Sequence, residues 1–132
     1  MRATVSHFEI PAFDPARAAR FYRKVFGWRI EAVPWAGPGY YSVKTEGPEP
    51  APAGAQTGAI GGGIGRDDVV GSAHPLLVVH VSGASLMDCL LKINRAGGEI
   101  VEPPRQVGKA GSFARFRDPE GNLLGLWSPD GH

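Results

Sequence analysis

The chain has 132 residues, 42% apolar and 20% charged, with a formal net charge of +1, the profile of one globular domain with its own core. That charge supplies no field to draw in nucleic acid or an anionic membrane, and no apolar run reaches the ~18 residues of a membrane span. Cys89 is the single cysteine, which excludes an internal disulfide and fits a reducing, cytoplasmic location.

The opening MRATVSHFEI passes directly into a strand pattern, without the apolar stretch of a signal peptide. Alternation puts His7, Glu9 and Pro11 on one face of this strand and Phe8 and Ile10 on the other. Asp14-Pro15 then offers a helix cap followed by proline at the first helical position. Ala18, Phe21, Tyr22, Val25 and Phe26 recur at helical spacing, and Gly27 stops a helix predicted over residues 15 to 26. Arg17, Arg20, Arg23 and Lys24 read as its solvated face. Strand-like stretches follow at 28–33, 39–45 and 57–64, interrupted by the polyproline-like EGPEPAPAGAQ at 46–56. GRDDVVGSAHP (65–75) reads as a linker.

The second half repeats this order. Leu76, Val78 and His80 share one strand face, and Ser82 or Ser85 can cap the next helix, predicted over 83 to 96. Leu86, Cys89, Leu90 and Ile93 form its apolar stripe, so Cys89 reads as core; Gly97-Gly98 ends it. Strands are expected at 99–102, 112–117 and 122–127, the last two joined by the turn sequence DPEGN (118–122). Residues 4–31 and 77–101 thus look like two versions of one unit. From Asp14 to Ser82 the offset is 68 residues, too long for a solenoid. Each half reads βαβββ, module 1 over about 1–65 and module 2 over about 76–130. The expected class is α+β, and a cleft between such halves is where a ligand would be sought.

HFEIPAFDPARAARFYRKVFGW, AGGEIV and the closing FARFRDPEGNLLGLW resemble the vicinal oxygen chelate superfamily, which includes glyoxalase I, bleomycin-resistance proteins and extradiol dioxygenases. The likeness covers nearly the whole chain. It implies one domain of two βαβββ modules forming an eight-stranded, cup-shaped open barrel, and a homodimer; it implies no single activity.

The resemblance also implies a place for metal. Its metal-dependent members take one ligand from the first and one from the last strand of each module. Carried over, these positions fall on His7, on Leu76, within Gly61-Gly62-Gly63, and on Gly125. Only His7 has a donor side chain, and catalytic sites need about three protein ligands. No cofactor is therefore expected, and a divalent metal is disfavoured.

The remaining candidates come from strand faces. His7 and Glu9, two residues apart, could tune each other's protonation as an acid–base pair. Leu76, Val78 and His80 occupy the corresponding face of the second module. AIGGGIG lacks the Lys-Ser/Thr of a phosphate loop; its glycines, Gly62 at their centre, and Gly125 should instead widen the cup floor for an organic ligand. Trp28, Trp35, Tyr40, Tyr41, Phe113, Phe116 and Trp127 read first as core and second as stacking surface. The expected function is binding of a small organic molecule by His7, Glu9, Leu76, Val78, His80, Gly62 and Gly125, without the usual metal. The alternative is a lyase, isomerase or dioxygenase using His7 and Glu9 or an atypical metal site.

Overall fold

The computed structural model describes residues 1–46 and 59–129. Along the chain come β1 (Arg2–Pro11), α1 (Pro15–Phe26), β2 (Arg29–Ala32), β3 (Tyr41–Lys44), β4 (Gly61–Gly65), α2 (Asp67–Val70), β5 (Leu76–Ser82), α3 (Leu86–Arg95), β6 (Glu99–Val107), β7 (Gly111–Arg117) and β8 (Leu123–Ser128). The class is α+β, with each half running βαβββ. The stretch read as a linker contains the short helix α2, and the loop at 46–56 lies almost wholly outside the described residues.

Contacts group the chain into two compact units, His7–Pro75 and Met1–Ser6 with Leu76–His132, and β1 runs through both. In the first unit the strand order is β2-β3-β4-β1. β4 runs parallel to β1, in a register that sets His7 opposite Gly61, Phe8 opposite Gly62 and Glu9 opposite Gly63. Helix α1 starts where expected, with Asp14 Oδ1 accepting from the backbone N–H of Arg17, and ends at Gly27 in the left-handed region. Its packing differs from the stripe read in the sequence. Ala19, fully buried, seats the helix against Ile30, Val43 and Ile64, with Ala18 and Tyr22 beside it. Phe21, Val25 and Phe26 stay more than half exposed. A small contact residue draws the helix axis close to the sheet, and the larger side chains fall at its margin. Phe21, Tyr22, Phe26 and Trp28 then pack ring against ring, stacked, tilted or edge-on, with centroids 5.1–6.2 Å apart.

In the second unit the order continues β1-β5-β8-β7-β6, with β5 parallel to β8. The cap of α3 is Ser85, whose Oγ accepts from the N–H of Asp88, so the helix begins three residues later than predicted from 83. Its buried stripe is Leu86, Cys89 and Leu90, packed on Val81, Ala114 and Leu126; burial pushes the Cys89 thiol above its ordinary pKa. β6 continues through Pro103-Pro104, well past residue 102. Register shifts there accommodate two prolines, and as the last strand in the order it needs no N–H from them for a further neighbour.

The two caps correct the repeat. Asp14 matches Ser85, an offset of 71, and His7 therefore matches Val78 rather than Leu76. With that offset, His7 pairs with Gly61 where Val78 pairs with Gly125, and Glu9 pairs with Gly63 where His80 pairs with Trp127.

Candidate functional site

On β1, Phe8 and Ile10 pack toward α1, which leaves His7 and Glu9 on the opposite face of the sheet. Glu9 is held from one side. The hydroxyl of Tyr40, just before β3, lies 2.8 Å from each Glu9 carboxylate oxygen and donates to that carboxylate. His7 Nε2 lies 3.5 Å from Glu9 Oε1, and the His7 and Glu9 side chains are 26% and 12% exposed. Burial, then the neighbouring Glu9 charge, pushes the Tyr40 phenol far above its ordinary value. Tyr40 therefore keeps its proton throughout the physiological range and acts only as a donor toward Glu9.

The alternate glycines of β4 explain how Tyr40 reaches Glu9. A Cβ at Gly63 would stand 1.9 Å from Tyr40 Oη and 2.6 Å from Glu9 Oε2. One at Gly65 would stand 2.9 Å from the Tyr40 ring. These two missing side chains form the slot in which the tyrosine lies. Gly62 belongs to the other face: its Cβ would meet the backbone and ring of Phe8 at 2.2–2.8 Å. Strand parity therefore places Gly62 with Phe8, on the face opposite His7 and Glu9. Tyr40, read in the sequence as core or stacking surface, is instead the hydrogen-bond donor to Glu9. The alternation of glycines at 61, 63 and 65 was the available signal that something crosses that strand.

The matching face of the second unit is filled differently. Leu76 and Val78 are 1% and 0% exposed and pack with Phe113, Val107, Leu123 and Trp127. A Cβ at Gly125 would meet Phe113 Cζ at 2.7 Å and Val78 Cγ2 at 3.3 Å, so the volume vacated there holds the phenylalanine ring. Leu76, Val78 and Gly125, expected to line a widened floor, are packed with Phe113 in this structure. The guanidinium of Arg115, a buried residue, lies 4.7 Å from the Phe113 ring centroid and donates to Glu102, as does Arg105. His80 Nε2 is buried with no hydrogen-bond partner among the described residues.

Residues 4–126 match the family described as the Glyoxalase/Bleomycin resistance protein/Dioxygenase superfamily. The chain belongs to this superfamily. It is 25% identical over 138 aligned residues to the protein named "Putative glyoxylase CFP32" of Mycobacterium tuberculosis and to that of Mycobacterium bovis. These matches cover 99% of the chain but 48% of each relative, so it spans about half their length. Among solved structures, a superfamily member from Vibrio splendidus superposes with a TM-score of 0.60 at 13% identity, covering 96% of this chain and 97% of that one. A Bacillus halodurans protein gives 0.63 at 10% identity, covering 97% and 95%. The Mn(II)-bound glyoxalase of Novosphingobium aromaticivorans gives 0.51 at 19% identity, covering 97% of this chain and 40% of that one. These likenesses carry the fold.

The superfamily's metal positions can be tested against the residues present here. His7 carries a donor. Its register partner Gly61, its repeat equivalent Val78, the originally aligned Leu76 and the last-strand Gly125 carry none. Glu9 adds a second donor beside His7, and the Tyr40 hydroxyl is engaged with the Glu9 carboxylate. Two donors fall short of the about three protein ligands of a catalytic metal site, and the set does not fit the ion. Among the described residues no helix is long and apolar enough to cross a membrane.

Proposed function

We propose that this superfamily member binds a small organic molecule on the face of β1 that carries His7 and Glu9, without the usual catalytic metal. One observation carries the reading: a carboxylate fixed by a tyrosine donor beside an imidazole, on the sheet face opposite α1. Ordered polar groups beside a glycine-rich neighbouring strand suit a ligand that needs orientation rather than bulk contact. The proposal extends to a cytoplasmic homodimer.

A second reading has its own support in the 3.5 Å approach of His7 Nε2 to Glu9. Such a pair can pass a proton to and from a bound molecule, the chemistry of a metal-independent lyase or isomerase.

The test is a thermal-shift screen of small aromatic and carbonyl compounds, with elemental analysis of the purified chain. A hit whose affinity falls on His7→Ala by about 1 kcal/mol or more, as expected for a lost buried hydrogen bond, supports the site. About one tightly held divalent ion per chain, lost in His7→Ala, would overturn the metal-free reading. Turnover of a hit, abolished by Glu9→Gln, would favour the enzyme.

A further inference from the structure

Resting on that reading, we infer that the site selects a ligand presenting a cationic or strongly N–H-donating planar group, such as an amidine or a protonated heterocycle, and that Tyr40 is its positioning residue. Tyr40 has one proton for two carboxylate oxygens, both at 2.8 Å. Whichever oxygen takes it, the other keeps its acceptor capacity, because a carboxylate offers about four lone-pair directions. The phenol stays protonated, so it never competes with Glu9 as the negative group. What the site offers an incoming molecule is thus an anchored, partly buried carboxylate.

The surroundings favour a flat group. On β3, Val43 is buried toward α1, which turns Ser42 and Lys44 to the face of His7 and Glu9. Between these strands runs β4, whose residues on this face are Gly61, Gly63 and Gly65. Tyr40 covers the last two, and at Gly61 a Cβ would stand 2.7 Å from the Val43 backbone oxygen, so this strand presents backbone rather than side chains here. A backbone surface without projecting side chains suits the close approach of a flat group. Besides His7, whose Nε2 lies 3.5 Å from Glu9 Oε1, the cations turned to this face are Arg29 and Lys44; both are exposed and Arg29 is paired with Glu31, so solvent screens them more than it screens Glu9.

The second unit provides an internal control. At the positions paired as Glu9 and Gly63 are, it has His80 and Trp127, and the aromatic that lies over its glycine, Phe113 over Gly125, has no hydroxyl to hold a carboxylate. The Glu9–Tyr40–Gly63 arrangement is therefore no requirement of the repeated fold.

Benzamidine, benzamide and benzoate share one ring and differ in charge. Binding of each is followed by backbone amide NMR, reading shifts at residues 7–9 and 61–65. Benzamidine is expected to bind at least about tenfold more tightly than benzoate, with benzamide between them. Glu9→Gln should bring benzamidine and benzamide within about threefold of each other. Tyr40→Phe should shrink the benzamidine-to-benzoate ratio, which a purely structural loss would leave unchanged at temperatures where the variant stays folded. If all three probes bind alike at these residues, or benzoate is preferred, the inference is overturned while the binding site stands. If a ratio above tenfold survives Tyr40→Phe, the positioning role is overturned. If no probe shifts these residues, the inference and the site reading both fail.

Discussion

Equivalent strand faces are built in opposite ways in the two halves of this chain. In the first, glycines at 61, 63 and 65 make room for a polar device, with Tyr40 lying over two of them to hold Glu9 beside His7. In the second, a glycine at 125 makes room for Phe113, whose ring packs against Val78 under a guanidinium. Missing side chains appear in both, yet one vacancy positions a carboxylate and the other completes a core. A glycine facing a sheet interior reports that something approaches closely; the partner decides what that means.

The comparison breaks most readily at Phe113. If the second face is core, Phe113→Ala should cost about 3–5 kcal/mol, measured by urea unfolding, through lost burial and the cavity left over Gly125. A loss under about 1 kcal/mol would mean that this face is a loose, ligand-ready surface like the first. Next comes Tyr40→Phe, expected to cost about 1.5–3 kcal/mol, because it strips a charged, partly buried acceptor of its donor.

Its pH dependence sharpens the point. The Tyr40 phenol is raised in the folded chain, so it stays protonated while the unfolded chain begins to release that proton above about pH 10. The folded state then binds more protons than the unfolded one, and stability falls as pH climbs past that value. Alkaline unfolding monitored by circular dichroism should show this fall in the parent chain and a shallower one in Tyr40→Phe. The smallest expected effect tests the repeat that underlies the comparison. Ser85→Ala should cost about 1 kcal/mol as the loss of a helix cap, and Ser82→Ala a few tenths at most. Equal losses would undo the offset of 71 and with it the matching of His7 to Val78.

Much of the fold was legible because its signals are local. Asp14-Pro15 and Gly27 bracket α1 at both ends as expected, since a cap and a left-handed stop act within one turn of the backbone. DPEGN likewise closes on itself, Asp118 accepting from the N–H groups of Glu120 and Asn122. Face-sharing by His7 and Glu9 follows from strand alternation alone. The repeat was visible, but two serines three residues apart could each cap α3, and only the bond from Asp88 N–H to Ser85 Oγ chose between them.

Tertiary structure alone decided what alternation and spacing could not carry. Periodicity assigned Phe21, Val25 and Phe26 to the core, but the depth of a helix against a sheet depends on the smallest residue at the contact, and Ala19 left them exposed. Parity placed Gly62 with Phe8 once the parallel register of β1 and β4 was fixed, because a shift of one residue exchanges the faces of every side chain. Tyr40 lies 31 residues from Glu9 in sequence, and no local pattern links them. By itself the sequence determined which residues alternate, where helices start and stop, and that the halves repeat, since these depend on neighbours along the chain. Which side chain fills which glycine's space depends on strands brought together from a distance, and that is where a shared architecture became a carboxylate site in one half and a packed ring in the other.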